Sequence, residues 1–232
     1  EFYSESVNIA VTTFTKKRCT KVERFSVTRT ASKSGWKGMM TIIELHFDKE
    51  RHIYTFRGNA IPSVTHIMRF MSRELYDGIP PDVLMKAADR GTRVHALTED
   101  YDTYGFCEAE EDTNAYIQAY EKFKSDFKPE WTGIEVRLYH KNLLYAGTVD
   151  RVGFVTPEDG TGLDIVDLKA TRAFHPVMLQ TPVSAYADMY KSHGLAIRNI
   201  YGLQLKPDGS YLFQKLKYDF KPFLHCLALH NE

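Results

Sequence analysis

The chain has 232 residues, 43% of them hydrophobic and 26% charged, and its 30 basic side chains cancel its 30 acidic ones. That length and balance exclude a wholly disordered chain, and they leave one ordinary domain with a substantial core. No run approaches the ~20 apolar residues of a membrane span, and the first residues lack the basic-then-apolar order of a signal peptide.

The charge is unevenly spread. Between Lys16 and Lys37, eight basic residues (Lys16, Lys17, Arg18, Lys21, Arg24, Arg29, Lys33 and Lys37) stand against one acid, Glu23. Residues 1–39 are therefore expected to form a basic arm or edge hairpin, either meeting a polyanion or simply solvated. Cys19, Cys107 and Cys226 are odd in number and match no zinc spacing. They suit a reducing interior, so an intracellular location is expected.

From residue 40 the pattern changes. "MTIIELHFDKERHIYTFRG" reads as two strands around a polar turn at Asp48–Arg51. Pro62 and Ser63 mark a helix start, with Ser63 as the cap. "PPDVLMKAADRGTRVHALTEDYDTYG" is a long helical pattern opened by Pro80–Pro81 and closed near Gly105, with Gly91 inside it. "AEEDTNAYIQAYEKFKSDF" is a second helix, acidic where the dipole prefers acids. After Trp131 the period turns from helical to alternating. "GIEVRLYH", "LLYAGTVDRVGFV" and "LDIVDLKA" read as three consecutive strands. "PVSAYADMYKSHG" is a helix with Pro182 near N1, which puts Gln180 ahead of it, and with Gly194 at its end. A hairpin across "PDGS" and a last helix, "KPFLHCLALH", complete an α/β pattern in which a central mixed sheet is flanked by helices.

The strand "LDIVDLKA" carries a conflict. Asp167 and Lys169 are two residues apart and so share one face with Ile165. Either that face is wet and its charges are incidental, or it opens onto a site. One strand earlier stands Asp150, which an antiparallel partner can bring opposite Asp167. Two carboxylates and the carbonyl of Leu168 are hard oxygen donors that suit Mg²⁺ or Mn²⁺. Lys169 would then sit beside the metal, and clustered carboxylates call for such a cation.

These residues, "GTVD" then "IVDLKA" then a helix with Gln and Tyr, resemble the PD-(D/E)XK nuclease superfamily, in particular its RecB-like and phage-type exonuclease branch. The resemblance runs from about residue 40 to 218. It implies a restriction-endonuclease-like core over residues 40–232, with Asp150, Asp167 and Lys169 catalytic. His95 in "RGTRVHALTE" matches an upstream histidine that joins Asp150, Asp167 and Leu168 around the metal. Glu135 falls where members often carry an accessory acid. Gln180 and Tyr186 answer to the branch's DNA-binding helix, although they are six apart where the branch has four, with Pro182 between them. Arg90 and Arg93 flank His95 and could hold a phosphate, or lie on an exposed helix face.

The activity so implied is Mg²⁺- or Mn²⁺-dependent hydrolysis of DNA from a free end, in phage-type recombination, repair or replication. The cell implied is bacterial or phage-infected, with a single-strand-binding or annealing protein as a further partner. The three scattered cysteines cannot supply the four-cysteine set of members with an iron–sulfur cluster, so none is expected. The rival readings are a non-catalytic nucleic-acid-binding scaffold with the same fold, and a structure-specific endonuclease.

Overall fold

Alternating and helical stretches follow each other along the chain, and the structure turns them into layers. It is a computed structural model that describes residues 45–71, 78–156 and 162–232. The basic arm expected at 1–39 lies outside the described residues. The chain divides into two compact units between Pro62 and Ser63.

In the first unit, β1 (Leu45–Asp48), β2 (Ile53–Phe56) and β3 (Asn59–Ile61) form an antiparallel sheet in that order. The Asp48 carboxylate accepts the N–H groups of Glu50 and Arg51, each at 3.0 Å, and so builds the expected polar turn. β3 was not expected. It returns through Arg57 (φ 51°) and Gly58 (φ 80°), two consecutive positive-φ residues of the kind that fold tight hairpins. Arginine at the first of those positions hides the usual Asn-Gly signal.

The second unit opens with α1 (Val64–Ile67), whose cap Ser63 accepts the N–H of His66 at 3.1 Å. α2 (Pro81–Tyr104) runs through Gly91 and stops at Gly105, which takes φ 81° and donates its N–H to Tyr101 O. α3 (Glu111–Phe127) begins with a capping box between Glu110 and Thr113. Five strands follow the order β4 (Glu130–Tyr139), β5 (Ala146–Phe154), β6 (Leu163–Lys169), β7 (Ile197–Leu205) and β8 (Tyr211–Leu216). All neighbours are antiparallel except β6 and β7, which are parallel because α4 (Pro176–Ser192) crosses between them. α5 (Lys221–His230) closes the chain.

Two apolar clusters sit on the two sides of this sheet. Val149, Val152, Ile165 and Ile200 pack with Val183, Met189 and Tyr190 of α4 and with Phe223 and Leu227 of α5. Val166, Leu168, Leu203 and Leu205 pack with Val94 of α2 and with Tyr116, Tyr120 and Phe123 of α3. The result is the α/β fold expected, a central mixed sheet flanked by helices.

One expectation is corrected. α4 starts at Pro176, not at Pro182, so Gln180 lies inside the helix with Tyr186. Either proline would suit a first turn; Pro176 takes that place, and Pro182 is carried within the helix. Leu179 and Val183, one turn apart, are both buried in the same apolar cluster, and that packing holds the helix through the missing N–H.

Candidate metal centre

The site forms where β5 and β6 part. Their pairing ends at Arg151 opposite Val166. Beyond that point the Leu168 N–H has no strand partner on β5, and the Asp150 Oδ2 atom accepts it instead at 2.7 Å. A side-chain carboxylate thus replaces a ladder bond, which fixes Asp150 while leaving its other oxygen toward α2.

Glu135 reaches the same place from β4. Trp131 pairs with Gly153 and Gly133 with Val152, so Thr132 is an extra residue, a β-bulge. Past the bulge, the pairs Ile134–Arg151 and Val136–Val149 bracket Glu135 and Asp150. Without the inserted residue, every later β4 side chain would change face. Glu135 itself has φ 48°, a left-handed backbone that glutamate rarely adopts and that is enriched at functional sites.

His95, on α2, completes the group. Its Nε2 lies 3.1 Å from Leu168 O. A carbonyl only accepts, so Nε2 carries the proton and the Nδ1 lone pair faces the carboxylates. Nδ1 is 3.5 Å from Glu135 Oε1 and 3.7 Å from Asp150 Oδ1, and ligand atoms of all three residues lie within 4.8 Å of one another. A lone pair facing two carboxylate oxygens needs a cation between them, either a proton or a metal ion. Burial lowers the pKa of the His95 imidazole, but Asp150 and Glu135 outweigh it and hold the group above its ordinary value. One nitrogen and two carboxylates are a fitting donor set for a divalent ion.

Asp167 and Lys169 stand beside this group. Asp167 is 5% exposed, so the face of β6 that it shares with Ile165 is not wet. Burial raises its carboxyl to about 6, against the opposing pull of Lys169 and with Asp150 adding to the rise. Its Oδ2 contacts Lys169 Nζ, and Lys169 also donates to Leu168 O at 3.3 Å. Leu168 O lies within hydrogen-bond reach of His95 Nε2 and Lys169 Nζ, and Glu135, expected as an accessory acid, joins His95 and Asp150 in the cluster.

The expected DNA-contacting residues are placed differently. Tyr186 is 7% exposed and packs in the apolar core, its ring beneath Gly147, with little surface for a base to stack on. Gln180 is half-buried on α4. The Arg90 guanidinium lies over the Tyr116 ring, 5.6 Å from its centroid. Arg93 is engaged by Asp89 at 3.0 Å, Glu110 at 2.9 Å and Asp112 at 2.5 Å, so a phosphate would have to displace carboxylates.

The residues around Arg151 carry no motif that singles them out in the sequence. Arg151 is fully buried among Asp102, Thr98, Tyr120 and Glu135. The one available signal was an arginine inside the apolar alternation of "TVDRVGFV".

No protein-family model matches this chain, and no curated protein does. Among solved structures, it is similar to SSO0001 (12% identity, TM-score 0.37, 73% of this chain and 72% of that one). It is also similar to the alkaline exonuclease LHK-Exo from Laribacter hongkongensis (12% identity, TM-score 0.29, 60% of this chain and 80% of that one). For LHK-Exo in complex with dAMP the values are 14% identity and TM-score 0.33, over 73% of this chain and 83% of that one. Likeness at this level carries no argument about activity, and the case for a metal centre stands on the convergence of His95, Glu135 and Asp150.

Proposed function

We propose that this chain is a metal-dependent nuclease of the PD-(D/E)XK superfamily, RecB-like or phage-type, acting on DNA from a free end in recombination, repair or replication. The observation that carries the reading is the meeting of His95, Glu135 and Asp150, brought from a helix and two strands, with the buried Asp167–Lys169 pair alongside. Asp150, Glu135 and His95 would hold the ion, Mg²⁺ or Mn²⁺, with Asp167 next to them. When bound there, a divalent ion neutralises phosphate charge and makes water more acidic. Lys169, held by Asp167 and Leu168 O, orients water and a phosphate oxygen for in-line attack. Asp150, held by the Leu168 N–H, keeps the fork between β5 and β6 in register with α2.

End-labelled linear DNA and closed circular DNA, each incubated with Mg²⁺ or with excess EDTA, test this. The expected result is degradation of the linear form alone, only with the metal. Asp167→Asn should lower cleavage by orders of magnitude while DNA binding persists. Lys169→Ala should lose cleavage but retain metal binding. Cleavage in EDTA, or unimpaired cleavage by Asp167→Asn, would remove the site from this position. Cleavage of circles would move the reading to an endonuclease.

A further inference from the structure

Arg151 is the largest fully buried side chain among the described residues, with 0% exposure, and the chemistry assigned above does not use it. Four of its five N–H donors are placed in a particular way. Nε donates to Asp102 Oδ2 at 2.7 Å. Nη1 donates to Asp150 O at 2.8 Å and to Glu135 Oε1 at 3.4 Å. Nη2 donates to Thr98 Oγ1 at 3.0 Å, and that hydroxyl donates to His95 O at 2.9 Å. One guanidinium therefore reaches all three members of the metal-binding group, two directly and His95 through one hydroxyl.

Asp102 explains how so buried a cation is held in place. Asp102 is itself almost wholly buried, with its side chain 1% exposed, and it accepts Lys124 Nζ at 2.8 Å and the Tyr120 hydroxyl, both from α3. A guanidinium that served stability alone would need only this carboxylate, and apolar residues of similar volume often serve stability as well. The contacts to Asp150 O, Glu135 and Thr98 go beyond that need, and the fixed fork of an arginine is what three separate directions require. Glu135 needs such a hold because its φ of 48° is unfavourable for glutamate.

We infer that Arg151 is a positioning residue: clamped by Asp102, it holds Glu135, Asp150 and the His95 turn of α2 in the arrangement that binds the metal. The inference rests on the metal-site reading and adds to it a residue that touches neither metal nor substrate. Supporting groups around metal ligands commonly change affinity by about 10–100-fold when removed.

Mn²⁺ binding to the full chain, followed by titration calorimetry without DNA, is the test. Arg151→Met should weaken binding by about tenfold or more. Arg151→Lys, which can answer Asp102 but cannot point three ways, should recover only part of the loss. In a Glu135→Gln background, Arg151→Met should cost much less than it does alone, because its effect passes partly through Glu135. Should Arg151→Met not fold, Thr98→Val removes one link, and it too should weaken Mn²⁺ binding. Full independence of Arg151→Met and Glu135→Gln, or wild-type affinity with only a lowered melting temperature, would overturn the positioning role and leave the metal site standing. No Mn²⁺ binding by the unsubstituted chain would overturn both.

Discussion

At the scale of single residues, the contrast between His95 and the arginines beside it is informative. All three lie on one helix within six positions, yet His95 points to the carboxylates while Arg93 is tied to Asp89, Glu110 and Asp112. His95→Ala should therefore lower Mn²⁺ affinity and cleavage by at least about tenfold, with the melting temperature little changed, if the lost group serves as the proposed ligand and not as core. Calorimetry and a thermal scan on the same variant separate the two effects. A large fall in melting temperature with normal residual activity would make His95 a structural histidine.

At the scale of elements, the bulge in β4 is the feature on which the site's register depends. It closes directly on β5: a Cβ on Gly153 would lie 2.1 Å from Glu130 O and 2.8 Å from the Trp131 Cα. Those are backbone atoms and cannot swing away. Gly153→Ala should destabilise the fold by about 2–3 kcal/mol, toward the upper end for overpacking, and should also weaken metal binding by shifting Glu135. A chemical denaturation curve and a Mn²⁺ titration check both, and a neutral result would mean that the bulge yields easily. α4 shows the same lesson about elements. Pro176 and Pro182 carry the same local message, and only the burial of Leu179 and Val183 decides which one begins the helix.

At the scale of the whole molecule, both apolar clusters are drawn, among the described residues, from residues 64 to 227. The fragment of residues 63–232 should therefore fold by itself, with one cooperative transition and the Mn²⁺ binding of the whole chain, because its described core and the three candidate ligand residues are internal to it. Circular dichroism on heating and calorimetry check this. A fragment without a cooperative transition would show that the first unit is needed for the second to fold. Among the described residues, no helix is long and apolar enough to cross a membrane.

Much of this was legible in the chain because it depends on local pattern. The periods of two and 3.6 located β4 to β8 and the helices α2, α3 and α5, since burying one face of each element requires those spacings. The spacing of Asp167 and Lys169 identified the strand with charges on an inward face, and their order with Asp150 and His95 carries the resemblance from which the proposed chemistry comes. What local pattern could not carry was convergence. Glu135 joins the cluster through a bulge beside Gly133 and a left-handed backbone that falls on a glutamate and not on a glycine. Arg151 reads in sequence as a charge interrupting a strand. Its role appears only where Asp102, Thr98, Tyr120 and Glu135, between 16 and 53 positions away for the hydrogen-bonded partners, close around it. Periodicity is a property of neighbours along the chain, whereas a metal-binding group is a property of neighbours in space, and only tertiary packing makes the second from the first.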